Sequence, residues 1–161
     1  MSREILKTVV AAAENCGLEI CACVCDMGGK NRRLWKELGV SEENIAIPHP
    51  DRSESKIFFF ADIPHVLKLY RNHILDSGIQ CFGYVLDKQL IEKLLLRDTS
   101  ELKICHRLSL KHMDVRKSER QNVRLAAQLL SATTAAAIEY FFPIKKKSRL
   151  TSKWLTMLSV F

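Results

Sequence analysis

Two short apolar segments, each followed directly by an aspartate, constrain the fold of this chain more than any other feature of its sequence. LEICACVC at residues 18–25 ends at Asp26, and KIFFFA at residues 56–61 ends at Asp62. Their length, abrupt ends and strand-forming side chains are typical of buried β-strands. Because open α/β sheets bind ligands beyond the carboxyl ends of their strands, both aspartates lie where a site is expected.

Helical patterns alternate with these two strands. Apolar residues recur at helical spacing over residues 3–16, and again from Asp62, the expected N-cap, to Gly78. A shorter helix capped by Asn31 is expected between the strands, and the proline-containing segment 41–55 is expected to be a loop. The order helix, strand, helix, strand, helix predicts an α/β fold with a parallel sheet.

From Leu86 onward the pattern changes to helices alone. The longest predicted helix begins at a capping box formed by Ser118 and Gln121 and continues to Phe141. The sequence therefore predicts three segments, which are an α/β part over 1–80, an all-helical part over 81–142 and an irregular tail over 143–161.

The composition excludes several classes of protein. With 161 residues, 47% of them hydrophobic, the chain has the size and content of about one globular domain. No apolar run is long enough for a transmembrane helix, so no membrane partner is expected. The N-terminal segment lacks the apolar core of a signal peptide, which predicts that the six cysteines are reduced thiols.

The positive charge is concentrated in the last third of the chain. Residues 101–161 hold 12 Lys/Arg against 4 Asp/Glu, whereas residues 1–100 hold 13 against 14. This asymmetry indicates either a polyanionic partner or a solvated basic helix face. The cluster formed by Lys145, Lys146 and Lys147 has the same two interpretations, a nucleic-acid or nuclear-import patch or a solvated charge run.

Asp26 and Asp62 have both a catalytic and a structural interpretation. Enzymes that cut phosphodiesters commonly hold two Mg²⁺ ions about 4 Å apart with carboxylates at strand ends. Alternatively, Asp62 caps the following helix and Asp26 caps the turn at Gly28. His65 lies close enough in sequence to contact a carboxylate or a metal-bound water, or to bond within its own helical turn.

Two further motifs are weak. The segment GGKN at residues 28–31 lacks the spacing and the Ser/Thr of a phosphate-binding loop. Cys21, Cys23 and Cys25 alternate along the first strand, but no second ligand pair for zinc follows them. Burial as small apolar side chains is the favoured interpretation of these cysteines.

Three blocks resemble a known family in order and spacing. The runs CDMGGKNRRLWKELGV at 25–40, HPDRSESKIFFFADIPHVLKLYRNHILD at 49–76 and HRLSLKHMDVRKSERQNVRLAAQLLS at 106–131 are similar to blocks of P-element-type transposases and their THAP-domain relatives. The resemblance implies a partial RNase H-like core that runs into a helical, GTP-binding insertion domain. It also implies that Asp26 is the second metal-binding carboxylate of the core, with Asp62 and His65 in supporting roles.

The resemblance assigns a group of nucleotide contacts, and the charge pattern indicates a group of DNA contacts. Guanine-nucleotide contacts are implied at Arg107, where the family typically has Lys, and at Asn122, Val123 and Ser131 in the helix that follows. Contacts to DNA are expected from the basic residues of the last third, which are Arg116, Lys117, Arg120, Arg124, Lys145, Lys146 and Lys147.

The expected function is that of a truncated or domesticated transposase-derived protein in the nucleus. The family's other two catalytic carboxylates have no counterpart among these residues, so strand transfer by the chain alone is not expected. Mg²⁺ and GTP are implied by the resemblance, and weak or absent GTP binding by the chain alone is expected. Expected partners are transposon-end DNA, a full-length transposase or a second copy of the chain. The alternatives are a non-enzymatic regulator that binds DNA or a transposase, and a guanine-nucleotide module.

Overall fold

The computed structural model describes residues 2–52, 54–81, 84–99, 101–114 and 116–143, and it shows a mixed α/β protein. The chain divides into two compact units, Met1–Val66 and Leu67–Phe161. The division lies about one helix earlier than the change in sequence pattern near residue 80. None of the helices in the described ranges is long and apolar enough to cross a bilayer.

The first unit is a small mixed sheet with helices. Its elements are α1 (Arg3–Asn15), β1 (Ala22–Cys25), α2 (Gly29–Leu38), β2 (Ala46–Pro48) and β3 (Lys56–Ala61), followed by the start of α3 (Ile63–Asp76). The strand order is β1-β3-β2, with β1 parallel and β2 antiparallel to β3. The predicted strands and their parallel pairing are confirmed, whereas the expected loop 41–55 contains a short strand and makes the sheet mixed.

One face of this sheet carries the core of the first unit. Ile57 and Phe59 pack with three buried side chains, those of Leu6, Val10 and Val40. The opposite face is open, with Val24 64% exposed and Phe60 48% exposed. The expectation of a buried first strand therefore holds for one face only, on which Cys23 packs against the core, whereas Cys21 just before the strand is exposed. The strand lies at a sheet edge, and Cys23 and Cys25 are only half-buried.

The second unit begins with a hairpin that the sequence analysis did not predict. Strands β4 (Ile79–Cys81) and β5 (Tyr84–Leu86) pair antiparallel before α4 (Lys88–Arg97). Gly78 ends α3 with a φ of +74°, which a residue with a side chain rarely adopts, and this lets the chain turn into the hairpin.

The predicted long helix over residues 118–141 is three separate elements. A 3₁₀ turn (Lys117–Gln121) is followed by α5 (Val123–Leu129) and α6 (Ala132–Phe141). The interruptions arise because Asn122 and Ser131 cap the two helices through their side-chain oxygens, which accept from the N–H groups of Leu125 and Thr134. The buried faces of α4, α5 and α6 form the core of the unit, which includes Ile91, Leu94, Leu129 and Ile138.

A buried arginine organises the start of the helical segment. The guanidinium of Arg71 is fully buried and donates to the main-chain carbonyls of Glu119 and Arg120 at 3.0 and 2.8 Å. Its neighbour Lys68 donates to the side chain of Gln121 at 3.1 Å. Two of the sequence blocks that resemble the transposase family are therefore bonded to each other through α3 and the 3₁₀ turn.

Candidate functional site

Asp26 and Asp62 lie at the same end of the sheet. β1 and β3 are parallel with Cys25 opposite Ala61, so each aspartate is the first residue beyond its strand. The amide of Asp62 donates to the carbonyl of Cys25 at 2.9 Å, which extends the ladder by one bond. The main chains of the two aspartates are therefore neighbours at the carboxyl edge of the sheet, as the sequence predicted.

The carboxylate of Asp26 is held in place by the start of α2. Its Oδ1 accepts from the backbone N–H of Gly28 at 2.9 Å and from the side-chain amide of Asn31 at 2.8 Å. These two hydrogen bonds lower the pKa of Asp26, and the nearby His65 adds a smaller effect in the same direction. Asp26 is thus an exposed, ionised carboxylate with a fixed orientation.

Gly28 is required for this arrangement. A Cβ at Gly28 would lie 2.8 Å from Oδ1 of Asp26, whereas a Cβ at Gly29 would meet nothing within 4 Å. The prediction that Asn31 caps α2 is wrong, because the helix begins at Gly29 with Gly28 as its N-cap. Asn31 instead lies in the first turn and donates to Asp26.

His65 and Asp62 flank Asp26 at the beginning of α3. Asp62 directly precedes the helix, and its carbonyl accepts from the N–H of Val66 at 3.0 Å. His65 is half-buried in the first turn. The structure thus brings the three predicted catalytic residues to one end of the sheet.

Glu14, His49 and Asp51 form a separate group of three potential metal ligands. Among the described residues, it is the group of three whose ligand atoms all lie within 4.8 Å of one another. The ring Nδ1 of His49 accepts from the N–H of Asp51 at 3.2 Å, so the proton of the neutral ring is on Nε2. That nitrogen lies 3.0 Å from Oε1 of Glu14, but the two atoms do not form a hydrogen bond. The same carboxylate makes an ion pair with Arg52.

Burial raises the pKa of Glu14, but the hydrogen bonds from Arg52 and Ile20 outweigh this effect and leave it lowered. The carboxylate is therefore already neutralised by Arg52, and the ring nitrogen that faces it carries a proton. These contacts hold the turn at residues 49–52 to α1, and this arrangement does not favour a cation.

A cavity of about 220 Å³ lies in the second unit at the N-terminus of α6. Two of the predicted nucleotide contacts, Arg107 and Ser131, line it. The other lining residues are Cys105, His106, Leu108, Gln128, Thr133 and Thr134. Asn122 and Val123 are absent from the lining and lie at the opposite end of α5, about 10 Å along the helix axis.

Hydroxyl groups and a neutral thiol line the inner part of this cavity. Thr134 is 2% exposed, and its hydroxyl donates to the carbonyl of Gln128 and contacts the hydroxyl of Ser131, both at 3.1 Å. Burial raises the pKa of the Cys105 thiol, and Asp98 adds to this effect, so the thiol is protonated at neutral pH. The positive charge of the lining comes from Arg107.

The basic residues predicted to contact DNA differ in how they are paired. Arg116 pairs with Asp114 at 2.6 Å, and Arg120 makes a two-pronged ion pair with Asp76. Arg124 is exposed and has no ion pair within the described ranges. The side chain of Lys117 and all of Lys145, Lys146 and Lys147 lie outside the described residues.

The sequence analysis missed the residues that hold these sites together. Asn31 was interpreted as a helix cap, and Arg71, His112 and Gln128 were not singled out. For Arg71 a signal exists in the sequence. It lies four residues after the partly buried Leu67 and three before the buried Ile74, so it falls on the apolar stripe of a helix. For Gln128 and His112, no local pattern indicates a role.

Comparisons with known proteins agree on one family. Residues 64–158 match the family model for the TNP-like, GTP-binding insertion domain. The chain is 40% identical over 139 residues to the transposable element P transposase of Drosophila melanogaster, covering 86% of this chain and 18% of that protein. It is 24% identical over 149 residues to human DNA transposase THAP9, covering 89% and 16%.

A solved structure shows the same fold. The chain matches the Drosophila P element transposase strand transfer complex with a TM-score of 0.79 and 34% identity, covering 99% of this chain and 36% of that one. The chain spans less than a fifth of the curated relatives.

Proposed function

This chain belongs to the P-element-type transposases and matches their TNP-like, GTP-binding insertion domain. We propose that it supplies one metal-binding carboxylate and a nucleotide-binding region to DNA transposition in the nucleus. In this proposal the first unit is part of an RNase H-like core, and residues from 67 onward are part of the insertion domain. Asp26 is the metal-binding residue, and Asp62 and His65 support it.

The geometry at Asp26 carries the metal-binding part of the proposal. Mg²⁺ prefers hard oxygen ligands, keeps several of its waters and is commonly held by one or two carboxylates. Asp26 offers an exposed carboxylate whose Oδ1 is already fixed by Gly28 and Asn31. The site therefore fits a hydrated Mg²⁺, which in such reactions activates the attacking oxygen and stabilises the leaving one.

Asp62 and His65 act on this site through position and charge. Asp62 directly precedes α3 and lies beside the end of β1, so a second carboxylate follows the neighbouring strand. His65 favours the ionised form of Asp26, and in its neutral form it offers a hydrogen bond to a metal-bound water. His65 thus favours the anionic form of Asp26, and Asp62 adds a second carboxylate at the same end of the sheet.

We expect no strand cleavage by this chain alone. Two Mg²⁺ ions about 4 Å apart need more carboxylates than Asp26 and Asp62 provide, and the described residues place no third candidate ligand with them. The test is Mg²⁺-dependent nicking of a P-element-type end substrate by the purified chain, with Asp26→Asn as control. Strong cutting that depends on Asp26 would contradict this part of the proposal.

The guanine-nucleotide interpretation is supported by the cavity that Arg107 and Ser131 share. Its volume of about 220 Å³ is smaller than the roughly 300–1,000 Å³ of pockets that enclose a drug-sized ligand. It therefore fits phosphate groups better than a whole nucleotide. The N-terminus of α6 and the guanidinium of Arg107 both favour an anion there.

Calorimetric titration of the chain with GTP tests this second candidate function. Arg107→Ala removes the positive charge of the cavity lining and is expected to weaken binding by at least about tenfold, because a hydrogen bond to a charged group contributes roughly 1.5–3 kcal/mol. Equal affinity for Arg107→Ala and wild type would place the nucleotide elsewhere.

The alternative function, a non-enzymatic regulator that binds DNA, depends on the basic residues near the 3₁₀ turn Lys117–Gln121. DNA binding by Lys and Arg weakens steeply with salt. Because Arg120 is occupied by Asp76 while Arg124 is exposed without an ion pair among the described residues, we expect Arg124→Gln to weaken DNA binding more than Arg120→Gln does. The measurement is DNA affinity of the two variants across a salt series.

A further inference from the structure

Gln128 lies in the wall of the cavity near the end of α5 and is bonded to a buried histidine. The Oε1 atom of Gln128 and the Nε2 atom of His112 are 3.0 Å apart. His112 is 3% exposed and comes from the 3₁₀ turn Leu110–His112, so the contact joins the cavity wall to a separate part of the second unit.

The other ring nitrogen of His112 fixes the direction of this hydrogen bond. The backbone N–H of Ser109 donates to Nδ1 of His112 at 3.1 Å, so Nδ1 is an acceptor and carries no proton. The carbonyl of Ser109, at the same distance from Nδ1, already accepts from the backbone N–H of His112 at 3.0 Å. The proton of the neutral ring is therefore on Nε2, and it is donated to Oε1 of Gln128.

Among the described residues, none accepts a hydrogen bond from the side-chain NH₂ group of Gln128. Because the side-chain oxygen faces His112, the NH₂ group points away from the histidine. The cavity that Gln128 lines also receives the N-terminus of α6 and the side chain of Arg107. All three features donate hydrogen bonds or carry positive charge.

We propose that Gln128 donates its amide hydrogens to a phosphate of the nucleotide in this cavity, and that His112 is the positioning residue that turns the amide toward it. The inference rests on the proposed nucleotide-binding function. It adds to Arg107 and Ser131 a third contact whose direction is set by a histidine that does not line the cavity. The ligand chemistry is that of an oxyanion, because the assembled groups are donors.

Gln128→Glu is the most direct test of the contact. Glutamate has the same shape and still accepts from His112, but it places a negatively charged oxygen where the NH₂ group was. We expect the thermal midpoint to stay close to that of wild type and the calorimetric affinity for GTP to fall by at least about tenfold. Titration with guanosine, which lacks phosphates, is the matched probe, and its affinity is expected to be unchanged.

Two substitutions of His112 separate positioning from stability. The amide nitrogen of glutamine occupies nearly the place of Nε2, so His112→Gln keeps the donor to Gln128 and loses the contact with Ser109. His112→Asn has the opposite effect. Both variants lose one hydrogen bond and are expected to be destabilised by similar amounts, but only His112→Asn is expected to weaken GTP binding, by about three- to tenfold.

The outcomes distinguish this inference from the function on which it rests. If wild type binds GTP and Gln128→Glu binds it equally well, the role of Gln128 is wrong while the nucleotide site stands. If both His112 variants weaken binding equally, the histidine contributes only to stability. If wild type binds neither GTP nor inorganic phosphate, the nucleotide-binding function and this inference are both overturned.

Discussion

The guanidinium of Arg71 donates a 2.8 Å hydrogen bond to the main-chain carbonyl of Arg120, at the end of the 3₁₀ turn that precedes α5. Arg71 is fully buried, and within the described ranges no carboxylate pairs with it. Burial and the nearby charge of Arg120 lower the pKa of Arg71. Two main-chain carbonyls at the end of a helical turn, together with the side-chain oxygen of Asn72, therefore compensate this buried charge.

Replacing Arg71 is expected to destabilise the second unit. Arg71→Met keeps the apolar stem but leaves the carbonyls of Glu119 and Arg120 without this donor, at a cost of about 2 kcal/mol. Lys68→Met, which removes the exposed hydrogen bond to Gln121, is expected to cost less than about 1 kcal/mol. Urea denaturation of both variants measures the difference, and equal losses would show that the buried contact has no special role.

The ion pair between Arg120 and Asp76 predicts a pH dependence of stability. The hydrogen bond from Arg120 lowers the pKa of Asp76 below its ordinary value. A carboxyl whose pKa is lower in the folded state stabilises the protein at pH values above the unfolded pKa of about 3.9, and this contribution is lost as the pH falls through the folded pKa.

The Asp76→Asn variant isolates this effect. Because the pair is partly exposed, the substitution is expected to lower stability at neutral pH by less than about 1 kcal/mol. The difference from wild type is expected to shrink to zero in strong acid. Thermal unfolding measured over a range of pH tests this, and a difference that persists at low pH would assign the effect to packing.

The helix caps allow structural and binding roles of two residues to be separated. Asn122 and Ser131 each accept a hydrogen bond from the first turn of a helix, so replacing either with Ala is expected to cost about 1 kcal/mol of stability. Only Ser131 lines the cavity beside Arg107. Ser131→Ala is therefore expected to weaken GTP binding, and Asn122→Ala is not. Calorimetry measures the GTP affinity of both variants. A larger loss of affinity in Asn122→Ala than in Ser131→Ala would place the nucleotide near the first turn of α5.

The sequence predicts the end of the sheet better than the elements around it. Two apolar runs that each end in an aspartate specify both the strands and the place of Asp26 and Asp62, because the pattern is local. The contact from Asn31 to Asp26 depends on α2 beginning two residues before Asn31. A side chain that bonds backward to the preceding strand has the same sequence signature as a helix cap.

The helical segment was harder to predict for a related reason. The helical spacing of apolar residues continues on both sides of Ser131, so one long helix and two capped helices have similar sequence patterns. The strands β2, β4 and β5 have three residues each, which is too short for an alternating pattern to be recognised. The bonds from Arg71 to the 3₁₀ turn join residues nearly fifty positions apart, which no local pattern encodes.

Gly28 and Gly29 provide a matched pair of substitutions next to Asp26. A Cβ at Gly28 would press against Oδ1 of Asp26, whereas one at Gly29 would meet open space. Gly28→Ala is expected to displace the carboxylate from its hydrogen bonds and raise the pKa of Asp26 toward the ordinary value. Gly29→Ala is expected to leave it low. Carbon-detected NMR titration of the aspartate side chains measures both, and an unchanged pKa in Gly28→Ala would contradict the assigned hydrogen bonds.

The central claim, that Asp26 binds a divalent cation at the end of the sheet, is tested most directly by paramagnetic NMR. Mn²⁺ titrated into the isotope-labelled chain is expected to broaden the signals of Asp26, Asp62 and His65 first. The substitution Asp26→Asn is expected to abolish this broadening, whereas Asp114→Asn is expected to leave it unchanged. Broadening that begins at Glu14 and Asp51, or that persists in Asp26→Asn, would contradict the claim.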